Sequence, residues 1–123
     1  MINNKFPNTR LLFIGEEVPL FKQKLLNLVY SLDLSGKIFF LGKRDNVADY
    51  LNIMDIFVLS SLFEGIPLAM LEAMYIQIPV VATDVGGVSE VITHNKNGIL
   101  VEHNDIEALA SALMELFNNK SKR

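Results

Sequence analysis

The chain has 123 residues, 50% of them apolar, with a formal net charge of −3. That length and hydropathy fit one domain with a real core, and the acidic balance argues against a nucleic-acid-binding surface. Cysteine is absent, which excludes disulfides and thiolate metal sites, and no apolar run approaches the ~20 residues of a membrane-spanning helix.

Met1 to Asn8 is polar and lacks the apolar core of a signal peptide. It reads as loop or frayed helix end, with residues 1–9 flexible. A cytoplasmic location is expected, with membrane association only through parts outside this chain. Arg10–Ile14 is a strand turning at Gly15. Pro19 opens a helix that places Phe21, Leu25, Leu28, Val29 and Leu32 on one face. Ser35-Gly36 ends it. Lys37–Leu41 is a strand closing at Gly42, and Asp45 or Asn46 caps a short helix carrying Val47, Tyr50 and Leu51.

Ile56–Leu59 is a continuous apolar run, as in a strand buried on both faces. Ser60 to Gly65 breaks it. Pro67 suits the first position of a helix, where a missing N–H costs nothing, and Leu68, Leu71 and Met74 recur at helical spacing. Met70, Met74 and Tyr75 read as packing residues. Pro79 ends this helix, and Val80–Thr83 is a second buried strand. A Gly86-Gly87 loop leads to a short helix, Val88–Thr93, and an Asn97-Gly98 turn to the strand Ile99–Val101. Asn104 or Asp105 caps a last helix with Ile106, Leu109, Ala110, Leu113, Leu116 and Phe117 inward. Residues 118–123 form a polar, flexible tail.

Five strands alternating with helices predict a three-layer, Rossmann-like α/β domain with a five-stranded parallel sheet and helices on both faces. Ligands then bind at the carboxyl ends of strands. Here those ends are Gly15, Gly42-Lys43-Arg44, Ser60-Ser61, Thr83-Asp84 with Gly86-Gly87, and Glu102-His103. Free amides near Gly65 and Ile66 make an anion site at a helix start. Gly86-Gly87 exceeds what a tight turn requires, because Glu90 follows on the next helical turn. Glu64 lies just before the helix and Glu72 inside it, with seven residues between them. Taken alone, they read as a helix-start acid and a solvent-facing one. His94 and His103 read as solvated, no spacing suggests a metal site, and no cofactor is implied. Neither a nucleophile elbow nor a dinucleotide-binding glycine pattern occurs.

Ser-x-x-Glu-Gly-x-Pro-x-x-x-x-Glu-Ala, followed by Ile-Pro-Val-Val-Ala-Thr-Asp-Val-Gly-Gly-Val-Ser-Glu, closely resembles the donor-binding, C-terminal half of retaining GT-B glycosyltransferases of the glycosyltransferase 4 (group 1) type. The resemblance runs from Arg10 to Phe117. It implies transfer of a hexose from a nucleotide diphosphate sugar to a glycan or lipid-linked acceptor, as in polysaccharide biosynthesis. It assigns Glu64 to the donor sugar as the catalytic residue and Glu72 to the ribose hydroxyls. The backbone of Gly65, Ile66 and Pro67 would lie beside the sugar, and Ser61 and Leu68 near the phosphates or ribose. Gly42, Lys43 and Arg44 would meet the nucleobase.

The chain departs from that pattern at its cations. The family's donor half begins with a further strand and helix carrying an arginine and a lysine for the leaving phosphates, and neither Lys5 nor Arg10 occupies those positions. The N-terminal acceptor-binding half is lacking too, so the fragment alone is expected to be inactive. A non-catalytic Rossmann-like module binding a protein partner, or a fragment of a GT-B nucleotide-sugar epimerase, are the competing readings. In the resembled fold the lacking strand lies between the strands that are here Arg10–Ile14 and Ile56–Leu59. The sheet is expected to close by pairing those two directly, in the order Ile38–Leu41, Leu11–Ile14, Ile56–Leu59, Val80–Thr83, Ile99–Val101. The face without its helix would then favour weak homodimerisation.

Overall fold

The computed structural model describes residues 1–119 and Ser121. The chain divides into two compact units, one running from Asn3 to Asn46, the other taking in Met1–Ile2 and the chain from Val47 onward. A single helical turn, α1 (Ile2–Lys5), opens the chain where loop or frayed helix was expected.

In the smaller unit, β1 (Leu11–Ile14) and β2 (Ile38–Gly42) form a parallel pair joined by α2 (Pro19–Ser31). The register pairs Leu11 with Ile38 and Phe13 with Phe40, then shifts so that Ile14 meets Gly42. The Phe13 and Phe40 rings stack at 5.1 Å. Pro19 starts α2 as its sequence position demands. The stop comes earlier than Ser35-Gly36: Asp33 turns left-handed at φ 53°, and Leu34 donates its N–H back to the Val29 carbonyl. Of the expected inward face of α2 only Val29 is buried, while Phe21, Leu28 and Leu32 are more than half exposed. Leu25, Leu28 and Leu32 line an open apolar groove over Leu11, Phe13 and Phe40.

The larger unit carries α3 (Val47–Leu51), β3 (Phe57–Leu59), α4 (Leu68–Tyr75), β4 (Val80–Thr83), α5 (Val88–Val91), β5 (Ile99–Val101) and α6 (Ile106–Asn118). Its sheet is parallel in the order β3-β4-β5, with Leu59 paired to Ala82 and Thr83 to Val101. All four residues of β4 are buried. Successive side chains point to opposite faces. Val80 and Ala82 pack with Leu51, Met70, Ala73, Val88 and Ile92, and Val81 packs with Val101, Ala112 and Leu116 from the other side. This is the helix-covered parallel sheet that the continuous apolar runs imply.

The single five-stranded sheet does not form. There are two sheets, of two and three strands, and among the described residues no ladder joins Leu11–Ile14 to Phe57–Leu59. Closure would have gained a few backbone hydrogen bonds, each worth only about 0.5–1.5 kcal/mol net. A parallel sheet also needs both faces covered, and Leu11 and Phe13 of β1 remain about 40% exposed.

Helix faces also differ from expectation. Pro67 is the N-cap of α4 rather than its first residue. The helix ends before Pro79, at a left-handed Gln77 (φ 63°), where the Ile78 N–H reaches the Ala73 carbonyl. Met70 and Ala73 face inward, whereas Leu68 is 73% and Tyr75 87% exposed, so Tyr75 is no packing residue. In α6 the buried positions are Ala110, Ala112 and Leu116; Ile106 is exposed. Asp105 is the cap, its Oδ1 accepting from the Ala108 N–H at 2.8 Å. Asn118 still belongs to α6, and Lys120, Lys122 and Arg123 of the expected tail lie outside the described residues. Among the described residues no helix is long and apolar enough to cross a membrane.

Met70 is fully buried against β4. Met70→Ala removes its side chain from a packed site and should cost about 2–5 kcal/mol, read as a lower urea midpoint at unchanged slope.

Candidate functional site

The site begins where β3 ends. Leu59 is the last residue of the β3–β4 ladder, and the chain then runs as a loop through Ser60–Ile66 to the Pro67 cap of α4. Ser61 Oγ donates to Glu64 Oε1 at 2.6 Å, with both groups partly buried. A hydrogen bond onto a carboxylate at that length belongs to the strong, charge-assisted kind. It fixes one oxygen of Glu64 and leaves the other for something else. Glu64 therefore does not cap α4; the N-cap is Pro67, and no side chain closes that helix start.

Beyond Glu64 the backbone donors are open. Among the described residues the amides of Gly65, Ile66, Leu68 and Ala69 reach no protein acceptor. A helix start with free amides attracts negative charge. A Cβ placed on Gly65 would meet nothing within 4 Å, so the space at that residue is unfilled by protein. Glu72 is on α4 with an exposed side chain, four residues after Leu68 and so on the same helix face. Ser61, Glu64, Gly65, Ile66, Pro67, Leu68 and Glu72 are thus all carried by one strand–loop–helix segment of the larger unit.

Gly42, Lys43 and Arg44 belong to the smaller unit. Gly42 closes β2 in the left-handed region, at φ 67°, and its carbonyl accepts from the Gly15 N–H at 3.0 Å. The Lys43 and Arg44 side chains are exposed.

What holds the loop in shape was not legible from its own residues. Thr83, at the end of β4, is 5% exposed, and its hydroxyl donates to the Ser61 carbonyl at 2.6 Å. The Gly87 N–H donates to the Gly65 carbonyl at 3.1 Å. Gly86 sits at φ 54°, and a Cβ there would stand 1.7 Å from the Glu64 carbonyl oxygen. Close backbone approach to the Glu64 segment is therefore the reason for the glycine pair. The signal for Thr83 was present in the sequence as a hydroxyl inside an apolar strand, since a buried hydroxyl must find a partner.

His94 is exposed, yet its Nδ1 accepts from the Leu100 N–H at 3.1 Å and so ties down β5. Among the described residues no cluster of three or more His, Asp or Glu side chains could hold a metal ion.

A parallel sheet covered by helices, with open loops at the carboxyl ends of its strands, is of the Rossmann-like α/β class. The glycosyl transferases group 1 family matches residues 1–123, and the chain belongs to that family. It is 38% identical over 96 residues to an N-acetyl-alpha-D-glucosaminyl L-malate synthase of Bacillus anthracis, a match covering 78% of this chain and 25% of that protein. The C-terminal domain of a group 1 glycosyl transferase (LpcC) from Francisella tularensis superposes with a TM-score of 0.88 at 31% identity, over 98% of this chain and 65% of that one. Anabaena Alr3699/HepE, solved in complex with UDP-glucose, shares the fold at a TM-score of 0.89 and 24% identity, over 94% of this chain and 33% of that one. The chain therefore has the Rossmann-like fold of GT-B C-terminal domains and spans about a quarter of that curated relative's length.

Gly86→Ala forces a left-handed alanine, about 1–3 kcal/mol of strain, and an overlap that only movement of Glu64 relieves. Thermal unfolding should shift down by several degrees, and amide shifts at residues 61–66 should change more than those of α6.

Proposed function

We propose that this chain is the nucleotide-sugar-binding part of a retaining glycosyltransferase, whose parent protein moves a hexose from a nucleotide diphosphate sugar to a glycan or lipid-linked acceptor. The observation that carries this is the Ser61-held carboxylate of Glu64 standing directly before the unpartnered amides of Gly65 and Ile66. A sugar diphosphate presents those two features with matching chemistry: hydroxyls for a carboxylate and an anion for N–H donors.

In this assignment Glu64 accepts from the sugar hydroxyls and faces the charge that develops at the reacting carbon. The backbone at Gly65, Ile66 and Pro67 borders the sugar. The free amides at the start of α4, with Ser61 and Leu68 alongside, face the diphosphate, where leaving-group charge must be stabilised. Glu72 accepts two hydrogen bonds from the ribose diol. Contact of Gly42, Lys43 and Arg44 with the nucleobase stands on the sequence resemblance alone. No metal or cofactor enters the proposal. The relatives' complexes with UDP and UDP-glucose make those two the first probes to use. Further cations for the phosphates, and the acceptor site, fall to other parts of a full-length protein.

Isothermal calorimetry on the chain, with UDP and then ADP and GDP, tests the assignment. Losing a charged hydrogen-bond acceptor costs about 1.5–3 kcal/mol, so Glu72→Ala should raise the Kd roughly tenfold to a hundredfold. Glu64→Ala should leave nucleotide affinity nearly unchanged and, in the full-length enzyme, lower kcat. Equal affinity for wild type and Glu72→Ala removes the ribose assignment.

A further inference from the structure

We propose that Thr83 is a positioning residue for Glu64: its buried hydroxyl, working with the Gly86-Gly87 turn, fixes the loop 60–66 so that the carboxylate is presented in one orientation. The role rests on the donor-site proposal above.

The β3–β4 ladder stops at the pair Leu59–Ala82. One residue further along β4, the Thr83 hydroxyl takes over. It donates to the Ser61 carbonyl at 2.6 Å and lies 3.3 Å from the Leu59 carbonyl. A hydroxyl has one proton, so the shorter contact is the bond and the longer one a shared approach. The side chain thus extends the ladder past the point where the backbone has left it. Ser61 passes the constraint on, because the residue whose carbonyl Thr83 holds also donates its Oγ to Glu64.

The second pin lies on the other side of Glu64. The Gly87 N–H holds the Gly65 carbonyl, and Gly86 lets the backbone of Glu64 approach closer than any Cβ allows. Both pins come from the end of β4 and the turn that follows it. β4 is buried on both faces, so the pins are anchored in the most immobile part of the unit. Glu72 is carried by α4 and is touched by neither. The brace therefore bears on the sugar carboxylate and not on the ribose carboxylate.

Thr83→Val keeps the shape, removes the proton donor and strands the Ser61 carbonyl; Thr83→Ser keeps the donor. In wild type and Thr83→Ser the backbone order parameters of residues 61–66 should lie near the rigid value of about 0.85, falling towards 0.6 in Thr83→Val. The ratio of UDP-glucose affinity to UDP affinity should fall at least fivefold in Thr83→Val, with UDP affinity itself unchanged and Thr83→Ser restoring the ratio. A core residue that only stabilises the fold would leave that ratio alone. Gly86→Ala disturbs the second pin and should lower the ratio likewise, which covers the case in which Thr83→Val does not fold. A rigid loop in Thr83→Val overturns the brace. A mobile loop with an unchanged ratio overturns the positioning role. A wild-type chain that binds neither UDP nor UDP-glucose overturns the donor reading, while the order parameters still decide whether Thr83 holds the loop.

Discussion

Everything that matters for chemistry in this chain depends on the burial of β4 from both sides. Four consecutive residues without solvent exposure require apolar partners above and below. α4 and α5 supply Met70, Ala73 and Val88 on one face, and α6 supplies Ala112 and Leu116 on the other. Each buried valine or leucine is worth about 1.5–3 kcal/mol of transfer free energy, so the strand is held by many small terms that would all have to fail together. A strand fixed in this way fixes its end, and its end is where the polar work begins.

At that end the structure changes from packing to hydrogen bonding within one residue. Ala82 is still in the ladder with β3, while Thr83 already spends its hydroxyl on the departing chain. The loop it grips has little apolar burial of its own: Leu62, Phe63 and Ile66 are at least half exposed. Such a segment would ordinarily sample many conformations. Two backbone-directed bonds and a missing Cβ at Gly86 restrict it instead. Catalytic groups gain from being held before the substrate arrives, because no reorganisation is then needed at the reaction step. On the proposed assignment the carboxylate of Glu64 would gain in that way, tied through Ser61 to Thr83 at the end of the buried strand.

The sequence was legible wherever a single physical demand decided the outcome. Every strand lies within a residue of where the apolar runs put it, because a short apolar run marks a strand whether it is enclosed, as β4 is, or half exposed, as β1 is. Pro19 and Asp105 marked helix starts for local steric and capping reasons. Pro79 and Ser35-Gly36 misled, because the true stops are the left-handed Gln77, a residue type with no preference for that conformation, and Asp33, a type that does visit it but stands next to the stronger Gly36 signal. Helix faces were read a position or two off. Apolar spacing in α4 pointed to Leu68, but α4 is short and apolar nearly all round, so periodicity could not choose the face that Met70 and Ala73 occupy. At the site, Glu64 and Glu72 stood out because the motif around them is long. The partner of Thr83 did not, since its hydroxyl reaches a carbonyl 22 positions away and no local pattern encodes that; the Ser61–Glu64 bond spans three positions inside the motif, but the motif does not say that the two side chains meet.

The two units differ in how far helices enclose their sheets. In the smaller unit only Val29 of the whole helix α2 is buried, and its sheet has two strands. A parallel pair of that size owes its order to the packing of one helix, and the α2 side chains over Phe13 and Phe40 are largely open to solvent. Glu64 and Glu72 are carried instead by the unit whose central strand is fully enclosed. Reaction at the sugar carbon depends on placement to a fraction of an ångström. On the proposed assignment the sugar carboxylate is tied through Ser61 and Thr83 to the enclosed strand β4, and the reason for that enclosure is the apolar sequence of β4.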